Sequence, residues 1–536
     1  MSSITAGATA PVILPFGSPE WLKRELAPTR LREIRTAIVV AGVVLCVIIS
    51  MALQVPQLAL TAYMVFFISK ESKVLTTITG VVGLIGVTIA IGGTLLLYEF
   101  TYGHPELRVP GMAIALFLGM YLSRVFVIGP LGLLTGFALA YSQSIGEAVP
   151  SPELLVREVL WLWVAIAYGV AVTVVLHRLF LPGAAGPPAE MPKPKSFFVS
   201  DAFTNPAHVH FALKVTFAAM FCYILYSAID WSGIHTAFIT CTFIALESTG
   251  ATLHKATLRI SGCLIGGLLA LFSIVFLMPH METIASLVVL VACVAAIAGW
   301  VAAGTERIAY AGLQIAFAFF YSVFQGYAPD TDLDNVRNRV VGILFGLIVT
   351  GLVFHYIWPE RAIDRLRDTL RQALQQLARL VEIPRQQTPM ATGKPETHGL
   401  IVETSKSFDQ ARRHAELTSF ELEETPTADR EELGNLERKL LHAEDVFAVA
   451  TSLVSDQAWN EWEQLPPGAR SAESHLRNVA AKRIERAATS NSASHTDDAD
   501  LSTAFSTWNE TLLRFSLENS RTALVSRIAA EVQHLE

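Results

Sequence analysis

Between Thr36 and Trp358 the chain is a succession of long apolar runs broken by short polar loops, and little else can be built from such a pattern than a bundle of lipid-embedded helices. A spanning helix needs roughly 20 apolar residues to cross about 30 Å of hydrocarbon, fewer where its neighbours shield it. That ruler predicts spans near 36–55, 57–69, 75–98, 110–127, 129–146 and 155–177, then near 211–229, 234–247, 257–278, 283–303, 306–326 and 338–357. The expected fold class is all-α: a polytopic membrane protein of two tandem six-helix transmembrane repeats in the same orientation, plus a C-terminal cytoplasmic helical domain. Composition agrees, with 52% hydrophobic and 16% charged residues against about a quarter charged in soluble chains. The charge is concentrated after Arg361, where an ordinary soluble segment begins. A net charge of -7 shared between two such regimes names no partner, and nothing points to nucleic acid.

The loops set the expected orientation. Lys23, Arg24, Arg30, Arg32 and Arg35 precede the first span, and Lys70, Lys73, Arg124, Arg178, Lys193 and Lys195 fall on the same side. In the second half Lys255, Arg259, Arg307, Arg361, Arg365 and Arg367 repeat that pattern, while the opposite side carries mostly Asp and Glu. The positive-inside rule therefore predicts both termini in the cytoplasm, with the first span an uncleaved anchor. Pro11 to Phe16 is too short for the apolar core of a signal peptide.

Matched polar residues predict an internal duplication. Thr61-Ala62 answers Thr236-Ala237, Glu71-Ser72 answers Glu247-Ser248, Gly92-Gly93 answers Gly266-Gly267, Tyr141-Ser142 answers Tyr321-Ser322, and Arg157 answers Arg337, at offsets of 174–180. Six spans per half keep the repeats in one orientation, related by an axis along the membrane normal with a pathway between them. The expected domains are a cytoplasmic N-terminal segment 1–35, repeats 36–181 and 209–358, a Pro/Gly/Ala-rich linker 182–208, and a cytoplasmic helical domain 359–536. Within the last, helices are expected at 361–383, 401–424, 428–454, 471–488 and 503–534, with a polar loop at 384–398 and a disordered-looking stretch at 489–500. Such a tail should bundle against itself or a sister subunit, so a homo-oligomer is expected.

No phosphate-binding Gly-rich loop, nucleophile elbow or zinc-protease motif occurs, so neither ATP-driven transport nor an enzyme is expected. No cofactor is expected either. His208 and His210 alone make no metal site, and the five cysteines, all inside apolar runs, read as packing residues. Candidate substrate contacts are Thr61 and Thr236, which sit in the short second span of each half; the other reading of these short spans is a tight helical hairpin. Interrupted helices at equivalent positions of a repeat expose backbone groups to a protected cavity. Lys255 and Arg259, four apart on one helix face, either steer an anion or anchor the helix at the interface by snorkelling. The same choice applies to Lys214. Tyr310 and Gln314 share a face that can hydrogen-bond a carboxylate or a hydroxyl. Glu247 and Glu306 either carry protons or serve as helix caps and ion-pair partners. The acidic and basic run from Asp330 to Arg339 is expected to face the periplasm, in salt bridges or against another protein. Gly132 and Gly136, Gly262 and Gly266, and Gly342 and Gly346 have the spacing of close helix contacts.

Glu25-Leu-Ala-Pro28, Gln54-Val-Pro56, Tyr63-Met-Val-Phe-Phe67, Ser69-Lys-Glu71, Glu306-Arg-Ile-Ala-Tyr-Ala-Gly-Leu-Gln314 and Arg337-Asn-Arg-Val-Val-Gly-Ile-Leu-Phe-Gly346 resemble the fusaric acid resistance (FUSC) and aromatic acid exporter family, in its MdtO-like branch. The resemblance implies a multi-pass component of a Gram-negative inner membrane that exports aromatic carboxylic acids or related amphipathic toxins, driven by the proton gradient. It also implies a periplasmic adaptor and an outer-membrane channel as partners. Many relatives carry a soluble domain after each half, whereas only the short linker follows the first half here. Two other classes stay open: a passive organic-anion channel, since plant malate channels resemble the same superfamily, and a membrane scaffold that transports nothing.

Overall fold

Thr29, Ser72, Ser151, Thr283 and Asp332 each stand before an apolar run, and each side chain accepts a backbone N–H of the first turn, opening a long helix. The computed structural model describes residues 18–146, 149, 151–182, 196–199, 201–246, 248–382, 394–418, 420–421, 427–454, 461–489, 495–517 and 519–535. After a short α1 (Pro19–Glu25), the first-half helices are α2 (Arg30–Ala52), α3 (Leu58–Ile68), α4 (Lys73–Thr101), α5 (Pro105–Val125), α6 (Gly129–Ile145) and α7 (Pro152–Phe180). The second-half helices are α8 (Pro206–Ala228), α9 (Thr236–Ile244), α10 (Thr249–Phe272), α11 (Ile284–Ala302), α12 (Glu306–Val323) and α13 (Leu333–Tyr356).

A helix therefore occupies each of the twelve expected segments, and among the described residues eight are long and apolar enough to cross a bilayer: α2, α4, α5, α7, α8, α10 with its extension to His280, α11 and α13. The reason lies in helix length. At 1.5 Å per residue the 11 residues of α3 and 9 of α9 reach roughly 14–17 Å, about half the hydrocarbon thickness. The chain is an all-α, polytopic membrane protein. Outward-facing Ile85, Leu96, Leu160, Leu179, Phe217, Leu268, Ile348 and Leu352 are exposed, as lipid-facing side chains must be.

By packing, the chain divides into two compact units, Met1–Ala245 with Lys255–Trp358, and Leu246–His254 with Pro359–Glu536. In the first unit α2 packs on α3, α7 and α11, while α8 packs on α9, α13 and α5. The α3 helix also meets α12. Two apolar cores result, one built from α2, α3, α11 and α12 around Val43, Val65, Val291 and Phe319, the other from α5, α8, α9 and α13 around Met112, Ala219, Phe238 and Val353. Local geometry recurs along the chain. Gln54 and Asp230 take the left-handed conformation, φ 52° and 53°, just after α2 and α8. The next residues, Val55 and Trp231, each donate 2.9 Å back to Ser50 and Tyr226. Likewise the backbone N–H groups of Lys70 and Leu246 each donate 3.1 Å to a threonine, Thr76 and Thr252.

In the second unit the helices are α14 (Ala362–Glu382), α15 (Lys394–Thr418), α16 (Thr427–Leu453), α17 (Pro467–Thr489), α18 (His495–Phe515) and α19 (Ser520–Val532). Leu366, Leu370, Leu374 and Leu377 of α14 face Phe408, Leu440, Ile484 and a fully buried Trp508. Two expectations need correction here. Residues 503–534 are not one helix: Ser516 adopts φ 50°, and Asn519 and Thr522 form a reciprocal capping box that starts α19. The expected polar loop 384–398 is helical from Lys394 onward, and its earlier part lies outside the described residues. Helix α18 similarly begins at His495, inside the stretch read as disordered, while residues 490–494 lie outside the described residues. So do residues 183–195 of the linker. Beyond them Phe197 accepts from Val127 and Val199 donates to Val125, a short antiparallel bridge to the α5–α6 turn.

Candidate functional site

The α10–α12 seam starts from two glycines. A Cβ on Gly262 would lie 2.5 Å from the Ala311 carbonyl oxygen, and one on Gly266 2.4 Å from that of Ile315, so only glycine lets these backbones touch. That contact brings Arg259, one turn before Gly262, against α12. Its Nη1 donates 2.9 Å to the Tyr310 hydroxyl, and its guanidinium carbon stands 5.8 Å from the Phe317 ring centre. Lys255, a turn earlier, places Nζ 4.9 Å from the Tyr310 ring centre.

A second cation approaches the same ring from α13. The Arg339 guanidinium carbon is 4.9 Å from the Phe317 centre and 4.7 Å from that of Tyr321, so two arginines share one phenyl ring. Tyr63 of α3 meets Phe317 edge-on at 5.2 Å, and Tyr321 lies 4.8 Å from it. On the far side Phe137 and Tyr141 of α6 pack against Phe238 of α9, and Tyr141 also meets His235 at 6.3 Å. Tyr63, Tyr141 and Tyr321 are each half-buried.

Both arginines have donors to spare. Arg259 is 2% exposed and Arg339 7% exposed. Even so, Nε and Nη2 of Arg259 and Nε and Nη1 of Arg339 make no hydrogen bond, and among the described residues neither guanidinium pairs with a carboxylate. Gln314, on the same α12 face, leaves its buried Oε1 unpartnered. Buried ionic groups without a counter-charge are costly, more so in a membrane, which makes these two arginines candidates for ligand contacts. Cationic, planar, forked donors set among aromatic faces suit a ligand that carries a carboxylate on an apolar ring.

Of the residues expected from sequence, the structure thus gathers Lys255, Arg259, Tyr310 and Gln314. Thr61 is on a different seam, where its methyl faces Gly169 of α7 and its hydroxyl turns to the Gln57 carbonyl at 3.4 Å. Thr236 is buried where α9 meets Gly342 of α13, its hydroxyl without a hydrogen bond. Glu306 begins α12, is exposed, and lines a cavity of about 270 Å³ beside Arg35, Lys70 and Glu71. Glu247 lies outside the described residues. Lys214 is buried, its Nζ 4.7 Å from the Phe354 ring centre and 3.1 Å from the Trp358 carbonyl oxygen. His208 faces Asp201 at 3.5 Å, while His210 stacks on Trp358 at 4.3 Å.

Arg339 and Phe317 were missed by sequence reading. Arg339 had been grouped with Arg337 in a charged run, but residues two apart on a helix point to different sides. Arg337 is exposed and pairs with Asp334 at 3.1 Å, while Arg339 turns inward. The stripe Tyr310, Gln314, Phe317, Tyr321, at helical steps of three and four, carried the missing signal.

Residues 219–353, which include this seam, match the model of a family described as fusaric acid resistance protein-like. A stretch of 202 residues is 36% identical to a protein of Shigella flexneri named multidrug resistance protein MdtO, over 38% of this chain and 30% of that protein. The protein of the same name from Escherichia coli strain K12 is 35% identical over 202 residues, 38% of this chain and 29% of that protein. The similarity thus spans less than a third of these relatives' length.

Proposed function

We propose that this chain, whose residues 219–353 match the fusaric acid resistance protein-like family, belongs to that family in its MdtO-like branch and is an inner-membrane efflux transporter component for aromatic carboxylic acids and related amphipathic acids. One observation carries the reading: Arg259 and Arg339, buried and with unpaired donors, flank Phe317 inside an aromatic cluster. A carboxylate takes the free guanidinium donors, its ring lies among Phe317, Tyr63 and Tyr321, and Gln314 and Tyr310 orient it. Lys255 draws the anion toward the seam.

The proposed architecture is two like-oriented six-helix repeats, 36–181 and 209–358, with both termini and the helical domain 359–536 in the cytoplasm. The recurring turns at Gln54 and Asp230, and the way α2 meets α11 as α8 meets α5, support the repeat. In this reading Thr61 and Thr236 flank the pathway at matched places, transport runs on the proton gradient, and Glu247 or Glu306 carries the proton. Export across the envelope then needs a periplasmic adaptor and an outer-membrane channel, and the exporter assembles as a homo-oligomer.

Calorimetric titration of the purified full chain with benzoate tests the core of this. Removing one partner of a buried charged hydrogen bond costs roughly 2–5 kcal/mol, so Arg339→Gln and Arg259→Gln are each expected to weaken binding about 30-fold or more. Binding unchanged in both variants overturns the reading. A second reading, a passive organic-anion channel, draws on the same cations, because among the described residues no carboxylate offsets them to couple a proton. Anion currents across a planar bilayer that persist without a pH gradient favour the channel, and their absence favours coupled export.

A further inference from the structure

The cavity of about 270 Å³ is separate from the paired arginines, and its walls combine two kinds of chemistry. Arg35 and Lys70 supply cations, Phe66, Val39 and Leu313 an apolar floor, and Glu71 and the exposed Glu306 acids at its edge. Arg35 is only 8% exposed, and its Nη1 already holds the Ala303 carbonyl oxygen at 3.3 Å. Its Nε is buried and makes no hydrogen bond. The partner it has in this state is a weak one: Glu71 sits 3.6 Å away with its side chain 73% exposed. An exposed carboxylate at that distance loses almost nothing by swinging into water, whereas the desolvated guanidinium gains from any anion that brings better geometry.

We infer that this cavity is a second carboxylate site, an entry vestibule in which the carboxylate of an aromatic acid displaces Glu71 from Arg35 while its ring rests on Phe66 and Leu313. The volume lies just under the 300–1,000 Å³ typical of clefts for drug-sized ligands, which fits an acid with a single ring. Phe66 and Leu313 sit on α3 and α12, one turn from Tyr63 and from Tyr310 and Phe317. Both helices therefore carry residues of the vestibule and of the arginine cluster, so the two sites are neighbours on one pair of helices. Glu71 acts as a tethered competitor: it holds the vestibule's cation when no acid is present and yields when one arrives.

The inference rests on the efflux reading for its substrate class, and the experiment separates the two. Benzoate is titrated into the purified full chain in detergent, wild type and variants, with thermal melts of each. Two classes of site are expected in the wild type, and Arg339→Gln should lose one and keep the other. In that background Glu71→Gln, which removes the competitor, is expected to tighten the remaining site roughly 2- to 5-fold, the range of a surface ion pair. Lys70→Gln should weaken it by a similar factor with an unchanged melt. A merely structural Glu71 would give no gain of affinity, and an unchanged or weakened site in Glu71→Gln overturns the inference. A wild type that binds benzoate only through Arg339 also overturns it and leaves the efflux reading standing. A vestibule that binds as described, in a protein that moves no aromatic acid out of cells, overturns the efflux reading alone.

Discussion

Two guanidinium carbons lie 5.8 and 4.9 Å from the centre of the Phe317 ring, whose π-faces attract cations and so ease the repulsion between them. Leucine at this position would keep the volume and lose that attraction, so the cations would repel without a mediator. Phe317→Leu is therefore expected to weaken benzoate binding by about tenfold, while Phe317→Tyr stays within about twofold of wild type. Parallel titrations of the two variants check this, and equal losses in both would point to shape rather than charge. The cationic and hydrogen-bonding half of this cluster was legible in the chain, because Lys255 with Arg259 and Tyr310 with Gln314 each fall at helical spacing. The aromatic half and Arg339 were not, because nothing local tells which of Arg337 and Arg339 turns inward. That depends on where α12 lies.

At the scale of elements, most helices could be placed from apolar length alone, since a long apolar run has no other stable state in lipid. The short α3 and α9 were legible as short because Pro56 and Gly233 interrupt the pattern just before them. The break between α18 and α19 was not, since it depends on a capping box that competes with helical continuation across a similar sequence. Another detail invisible in sequence is the Glu421 carboxylate, which accepts the backbone N–H of Gly250 at 2.5 Å and of Ala362 at 2.9 Å, near the starts of α10 and α14. Burial pushes this carboxyl above its ordinary value, outweighing the two N–H donors and Arg361, which pull it down, while Asp364 adds to the rise. An acid whose pKa rises on folding gains a proton in the folded state. Its contribution is thus greatest in acid and declines as pH climbs through the interval above the ordinary carboxylate value. Hydrogen exchange at Ala362, corrected for intrinsic rate, is expected to quicken across that interval in the wild type and to stay flat in Glu421→Gln. An identical pH dependence in both would remove Glu421 as the cause.

For the whole molecule, the two units are held by different physics. The membrane unit turns large apolar side chains outward to lipid, whereas the C-terminal unit hides them around α14 and adds a buried ionic cluster. There Arg521, fully buried, makes two bonds to Glu473, at 3.0 and 2.5 Å, and Arg477 reaches the same carboxylate at 3.6 Å. Taking away the acid removes the carboxylate that both arginines share, so Glu473→Leu is expected to cost about 3–5 kcal/mol in that unit. Limited proteolysis of the full chain should then cut within residues 467–535 far sooner than in wild type, and equal rates would show that the cluster is dispensable. Glu473 and Arg521 lie 48 residues apart, and no local pattern announces their meeting.

Arg259 also bears on how the polypeptide enters the bilayer in the first place. A guanidinium inside an inserting segment costs the translocon up to about 2.5–3.5 kcal/mol, the value at the segment's centre, and a short hydrophobic stretch offsets this poorly. The segment that carries it, Thr249–His280, is with 32 residues the longest of the eight spanning candidates. Its surplus of leucine, isoleucine and phenylalanine downstream of Ser261 offsets that penalty during biogenesis. Trimming this greasy excess should strand the segment outside the lipid even though every ligand-contacting side chain has been retained.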